Sequence, residues 1–148
     1  MRPRVGIIIF REIKMDNYFS EYAEINRETV KKAFDIDLGY NEESIGFLDP
    51  IIDEVWALSD AKDLKSITLL FGSFLGEAIR ADLGGNWHKN KDGEWEILLY
   101  IGNESLFIDP FRAVEKRIIL GKESSILKNF SKFKRKVESR VADVVILF

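Results

Sequence analysis

Apolar residues recur at helical spacing along most of this chain and alternate with polar ones in one central region, so helices surrounding a small sheet are expected. Residues 17–34 place Tyr18, Tyr22, Ile25, Val30, Ala33 and Phe34 near one helical face, with Asp16 as the expected N-cap. Residues 35–40 form a connection ending in Gly39, and a short helical turn is expected near 42–47. Asp49-Pro50 is a helix-start signal. Proline has no N–H to leave unpaired at the first helical position, and Asp caps well just before it. The helix that follows, 50–58, is expected to bury Ile51, Ile52, Val55 and Trp56.

The longest helical pattern covers 64–83, capped by Asp60 or Asp63. Leu64, Ile67, Leu70, Phe71, Phe74, Leu75 and Ala78 form a broad apolar arc, and Gly72 and Gly76 lie on a second face near Leu69 and Leu83. Each glycine costs about 1 kcal/mol relative to alanine in a helix, and the four-residue spacing suits close approach of another backbone. A helix apolar on two faces belongs at the centre of a fold. Its expected polar stripe is Ser66, Ser73, Glu77 and Arg80.

Gly84 stops that helix, and a meander of three strands follows at 86–89, 94–101 and 104–108. Trp95, Ile97, Leu99 and Ile101 alternate onto one face. The turns, Asn90 to Gly93 and Gly102-Asn103, are short enough to make the strands antiparallel neighbours. Asp109-Pro110 opens a helix to Leu120 that ends at Gly121. Ser124 or Ser125 starts the last helix, with the stripe Ile126, Phe130, Phe133, Val137 and Val141 and a basic side of Lys128, Lys132, Arg135, Lys136 and Arg140. Residues 5–10 read as a short strand or docked arm, and 144–148 as more helix or a strand. The expected fold is therefore α+β: a three-stranded antiparallel meander packed with about five helices, in one domain over residues 1–148, with 1–12 as an arm or edge strand.

Composition removes several chemistries. With 148 residues, 46% hydrophobic, the chain can bury a core without covalent staples. It has no cysteine, so thiol nucleophiles, disulfides and thiolate metal sites are excluded, which fits a cytoplasmic setting. The apolar run 5–10 is shorter than a signal-peptide core, and the longest charge-free stretch, 66–76, is too short to span a bilayer. The net charge of −3 conceals an asymmetry: residues 12–63 hold 14 Asp/Glu against 5 Lys/Arg, and residues 112–140 hold 10 Lys/Arg against 3 Asp/Glu. Such blocks mark partner surfaces or face each other.

No nucleotide cradle, G-x-S-x-G elbow or calcium loop is present, and one histidine excludes multi-histidine metal sites. No cofactor and no metal are expected. His88 fits a strand residue near a hairpin. Glu77, at the edge of a buried helix, is a weak candidate for acid–base work with His88 and Asp109. The plainer reading pairs Glu77 with Arg80, or with a basic residue of the helix 110–120, and makes Asp109 a helix cap.

Leu70 to Glu77, then Gly84-Gly85-Asn86-Trp87, then Asp109 to Arg117 together resemble a group of small bacterial proteins known only as domains of unknown function. The likeness spans about residues 49–133. It implies a bacterial, soluble α+β protein and brings no activity.

The leading expectation is a non-catalytic binding or interaction module, of adaptor or toxin-neutralising type, with an unknown protein partner or a second copy of itself. The acidic N-terminal half is one candidate surface. Trp87, Arg112, Arg117, Lys132, Arg135 and Lys136 are candidate binding residues. One alternative is a hydrolase-like enzyme using Glu77, His88 and Asp109. Another is an anion- or nucleic-acid-binding module using the last helix, disfavoured for nucleic acid by the acidic pI of about 5.3 and the absence of aromatics among the lysines.

Overall fold

The computed structural model describes residues 15–59 and 63–146. The described chain runs α1 (Met15–Phe34), α2 (Glu42–Gly46), α3 (Leu48–Leu58), α4 (Leu64–Leu83), β1 (Asn86–Lys89), β2 (Trp95–Ile101), β3 (Glu104–Ile108), α5 (Pro110–Leu120), a 3-10 turn (Gly121–Ser124) and α6 (Ile126–Ile146). The expectations for residues 1–12, and for 147 and 148, lie outside the described residues. Residues 144–146 continue α6.

The strands form an antiparallel sheet in the order β1-β2-β3, with Trp87 opposite Ile97 and Leu99 opposite Leu106. Those four side chains are buried. The opposite face shows His88, Tyr100 and Phe107 to solvent. The second strand starts at Trp95, because the Glu94 carbonyl instead accepts from Asn90 N–H to close the turn.

Helix α4 is the core, as its two apolar faces require: Ile67, Phe71, Phe74, Leu75, Ala78 and Ile79 are all buried. Asp63 caps it by accepting from Ser66 N–H at 3.1 Å, and Gly84, at φ 90°, ends it in a conformation that L side chains avoid. Gly72 admits both the ring and the backbone of Phe111, whose Cα would lie 3.1 Å from an added Cβ, and Gly76 admits the Trp87 ring. A Cβ on Gly72 would lie 2.3 Å from Phe111 Cδ1, and one on Gly76 would lie 2.1 Å from Trp87 Cη2. Ser73 is not part of an exposed polar stripe. It is fully buried, and its hydroxyl has no hydrogen-bond partner.

Three expectations about helices are corrected. Helix α1 begins at Met15, so Asp16 lies inside its first turn rather than capping it. Its buried face is Phe19, Ala23, Asn26 and Val30, a spacing of four, three and four residues. Ile25 is 47% exposed, so the apolar stripe is rotated from the one that large side chains alone suggest. Helix α3 begins at Leu48, ahead of Pro50, whose missing N–H is still harmless within the first turn.

Asp49 therefore does not cap its own helix. Its carboxylate accepts from Ile126 N–H at 2.9 Å, Leu127 N–H at 3.3 Å and Ser125 Oγ at 2.9 Å, which closes the N-terminus of α6. It also accepts from Arg117 Nε at 2.9 Å, while Arg117 Nη2 donates to Asp53 at 2.7 Å. Ser125 is the local cap of α6, its Oγ accepting from Lys128 N–H. The oppositely charged blocks of the chain thus meet in the fold. Lys134 adds to this by bridging Glu42 and Asp82.

Two stability predictions follow. Gly76→Ala is expected to destabilise the protein by about 1–3 kcal/mol through overpacking against Trp87, rather than gain the ~1 kcal/mol of an open helical position. Denaturant unfolding measures it, and a stabilised variant would contradict the close approach. Asp49→Ala is expected to cost about 3 kcal/mol or more, because Arg117 loses a buried partner as α6 loses its cap. Asp53→Ala, at a half-exposed carboxylate, is expected to cost about 1 kcal/mol. Equal losses in the two variants would show that the α6 contacts contribute nothing.

Candidate functional site

Phe111, seated in the gap at Gly72, and Trp87, seated at Gly76, bring an aromatic cluster together. Trp87 and Phe111 stack with centroids 5.6 Å apart, and Phe19 of α1 lies 4.4 Å from Trp87, 5.2 Å from Phe111 and 5.4 Å from Trp95. The cluster supports an open groove of about 380 Å³. Its apolar lining includes Phe19, Leu69, Trp95 and Phe111, and its polar rim carries Glu94, Asp109, Arg112 and Glu115.

Asp109 caps α5 by accepting from Arg112 N–H at 2.9 Å. Burial pushes its carboxyl above the usual aspartate range, the N–H of Arg112 partly offsets this, and the nearby charge of Glu94 adds to the rise. Among the described residues Asp109, Glu94 and Glu115 make no ion pair, and neither does Arg112. The rim therefore carries excess negative charge beside aromatic faces, an arrangement that attracts cations through both charge and ring quadrupoles.

The weak catalytic candidates fall into separate hydrogen-bonding sets. Glu77 Oε2 accepts from Arg80 Nη1 and Trp87 Nε1, each at 2.8 Å, so this carboxylate orients the indole. His88 Nδ1 stands 3.4 Å from Glu96 Oε1 across the β1–β2 pair. Asp109 belongs to the groove, whose lining includes neither Glu77 nor His88.

Of the candidate binding residues, Trp87 is 7% exposed and Arg117 4%, so neither offers a contact surface. The partners of Arg117, Asp49 and Asp53, lie 68 and 64 residues away, and that of Trp87, Glu77, lies ten residues away. Arg112 lies on the groove rim. Lys132, Arg135 and Lys136 are exposed on α6 without ion pairs among the described residues, away from the groove. Phe19 and Trp95 were not singled out as site residues. The alternation of β2 places Trp95 on the inner face, but only the packing of α1 brings Phe19 to it.

Among the described residues no three metal-ligating side chains gather into a cluster, and no helix is long and apolar enough to cross a membrane. No family model, curated protein or solved structure matches the chain.

The raised Asp109 carboxyl has a signed consequence. A folded-state pKa above the unfolded one favours the protonated form, so this group's contribution to stability is full below the unfolded value and is lost as pH rises through the folded one. Asp109→Asn keeps a good cap without the charge. It is expected to be at least as stable as the parent at pH 7, with that advantage shrinking as pH falls through the raised folded pKa and gone once pH is below about 3.8, the unfolded value. Thermal melts at the two pH values measure it; an advantage that grew toward acid would refute the assignment.

Proposed function

We propose that this chain is a non-catalytic interaction module, of adaptor or toxin-neutralising type, and that it grips a protein partner through the groove between α1, α4, β2 and α5. The observation that carries this reading is the open aromatic groove whose rim holds three carboxylates that make no ion pair among the described residues. Its occupant is a segment of a partner protein that carries a lysine or arginine beside an apolar side chain. The apolar part covers Trp95 and Phe111, and the cation meets Asp109, Glu94 and Glu115.

The acidic N-terminal half as a whole supports this less well, because much of its charge is neutralised within the chain. Glu24 pairs with Arg27, Asp35 and Asp37 pair with Lys31, Glu42 with Lys134, and Asp49 and Asp53 with Arg117. The bacterial setting implied by the resemblance, and the cytoplasmic one that fits the absence of cysteine, are part of the same proposal. Self-association is its alternative form, favoured by the exposed Tyr100 and Phe107 on the open sheet face.

The test is affinity capture from the native cell with the tagged full chain and two double variants. Glu94→Lys/Glu115→Lys is expected to lose the partner retained by the parent. Arg135→Glu/Lys136→Glu is expected to keep it. Loss only in the second variant moves the contact to α6, and a partner retained equally by all three removes the groove from the reading. Recovery of the chain's own copy alone identifies the partner as itself.

A further inference from the structure

A second concavity, farther along the buried face of α1, is walled by Val30 and Phe34 of α1, Val55 and Leu58 of α3, and Leu70 and Phe71 of α4. Its volume is about 260 Å³, just below the range that holds drug-sized ligands. Asn26 also lines it, at the buried face of α1 where the helical pattern otherwise places apolar residues. The residue is 1% exposed, and its Nδ2 has no hydrogen-bond partner. A buried amide donor left unpaired is costly, and native interiors rarely keep one. The other polar side chains of the lining, Thr29 and Ser59, donate to carbonyls of their own helices, Ile25 and Val55, and neither hydroxyl oxygen accepts from Asn26 Nδ2.

We propose that this pocket binds a small, neutral aliphatic molecule carrying a carbonyl, and that the buried Asn26 amide turns into the pocket so that this oxygen accepts from Nδ2. The walls require an aliphatic body, and the unpaired donor requires one acceptor. Neutrality follows from the lining, which holds no charged side chain among the described residues. A carboxylate placed there would meet one neutral amide and lose its hydration without an opposing cation. A hydrocarbon would leave the donor unpaired. This inference is independent of the protein-binding groove, since the two concavities share no lining residue.

The experiment titrates the 15N-labelled full chain with 2-octanone and, separately, with sodium octanoate, following backbone and side-chain amides by NMR. 2-Octanone is expected to shift the Asn26 side-chain amide and the backbone amides of Val30 and Leu70 saturably, and octanoate at pH 7 to bind at least about tenfold more weakly. Asn26→Leu keeps an apolar wall and removes the donor. It is expected to weaken 2-octanone by roughly three- to tenfold, the span of one neutral hydrogen bond. Equal binding of ketone and carboxylate by the parent would overturn the proposal, as would undiminished ketone binding by Asn26→Leu. Absence of saturable shifts with either probe would mean that the pocket holds solvent alone, and would overturn it too.

Discussion

A single buried guanidinium dictates how the helices are arranged. Arg117, on α5, is nearly removed from water and must be paired, because an isolated charge in a protein interior costs several kcal/mol. Asp49 and Asp53, one turn apart on α3, supply the pairing, so α3 and α5 can dock only in the register that brings the three groups together. Asp49 then uses its remaining acceptor capacity on the N–H groups of Ile126 and Leu127, where the positive end of the α6 dipole favours an anion. One carboxylate thereby connects three helices. The pair need not stabilise the fold relative to an apolar replacement. Its force lies in what happens when one member is missing.

The same docking sets the groove. Helix α5 is held near its C-terminal end by Arg117 and near its N-terminal end by Phe111 in the gap at Gly72. With both ends constrained, Asp109 and Arg112 stand at a defined place beside β2, and the Trp87–Phe111 stack underlies them. Glu77 contributes by holding the Trp87 indole N–H, a positioning role far from the acid–base chemistry its location suggested. The glycines, which weaken α4 as an isolated helix, are what allow the rings to enter.

What could be read from the sequence divides by range. The strands were legible because alternation and turn chemistry act over a few residues, and β1 and β3 fall where the pattern put them. Asp63 and Asp109 were legible as caps because their acceptor bonds reach only three residues onward. Asp49 offered the same local signal, but its partners lie 68 to 78 residues away, and long-range geometry overrode the local rule. Helix α1 was misjudged by less than a turn because Asn26, a polar residue, holds a buried position that a search for large apolar groups passes over. The burial of Arg117 and Trp87, both candidate binding residues, is hidden for a related reason: composition does not show that a charge has two partners, or that an indole has a carboxylate.

The gathering of carboxylates distinguishes the groove. Elsewhere several charges that approach the interior are paired, although buried Glu96 meets only His88 and Asn90. Arg117 receives two carboxylates, Lys134 receives two, and Glu77 receives Arg80. At the groove Asp109 is half-buried, its ionisation is disfavoured by that burial and by Glu94, and no cation in the described chain is paired with it. Helix capping alone does not demand this, since asparagine caps as well without the charge. A rim that accumulates carboxylates beside exposed aromatic edges gives up some stability of the free chain, which a cationic partner of the kind proposed would restore on binding. Folding explains why an acceptor stands at position 109 and leaves its charge, and that of its neighbours, to the proposed binding role.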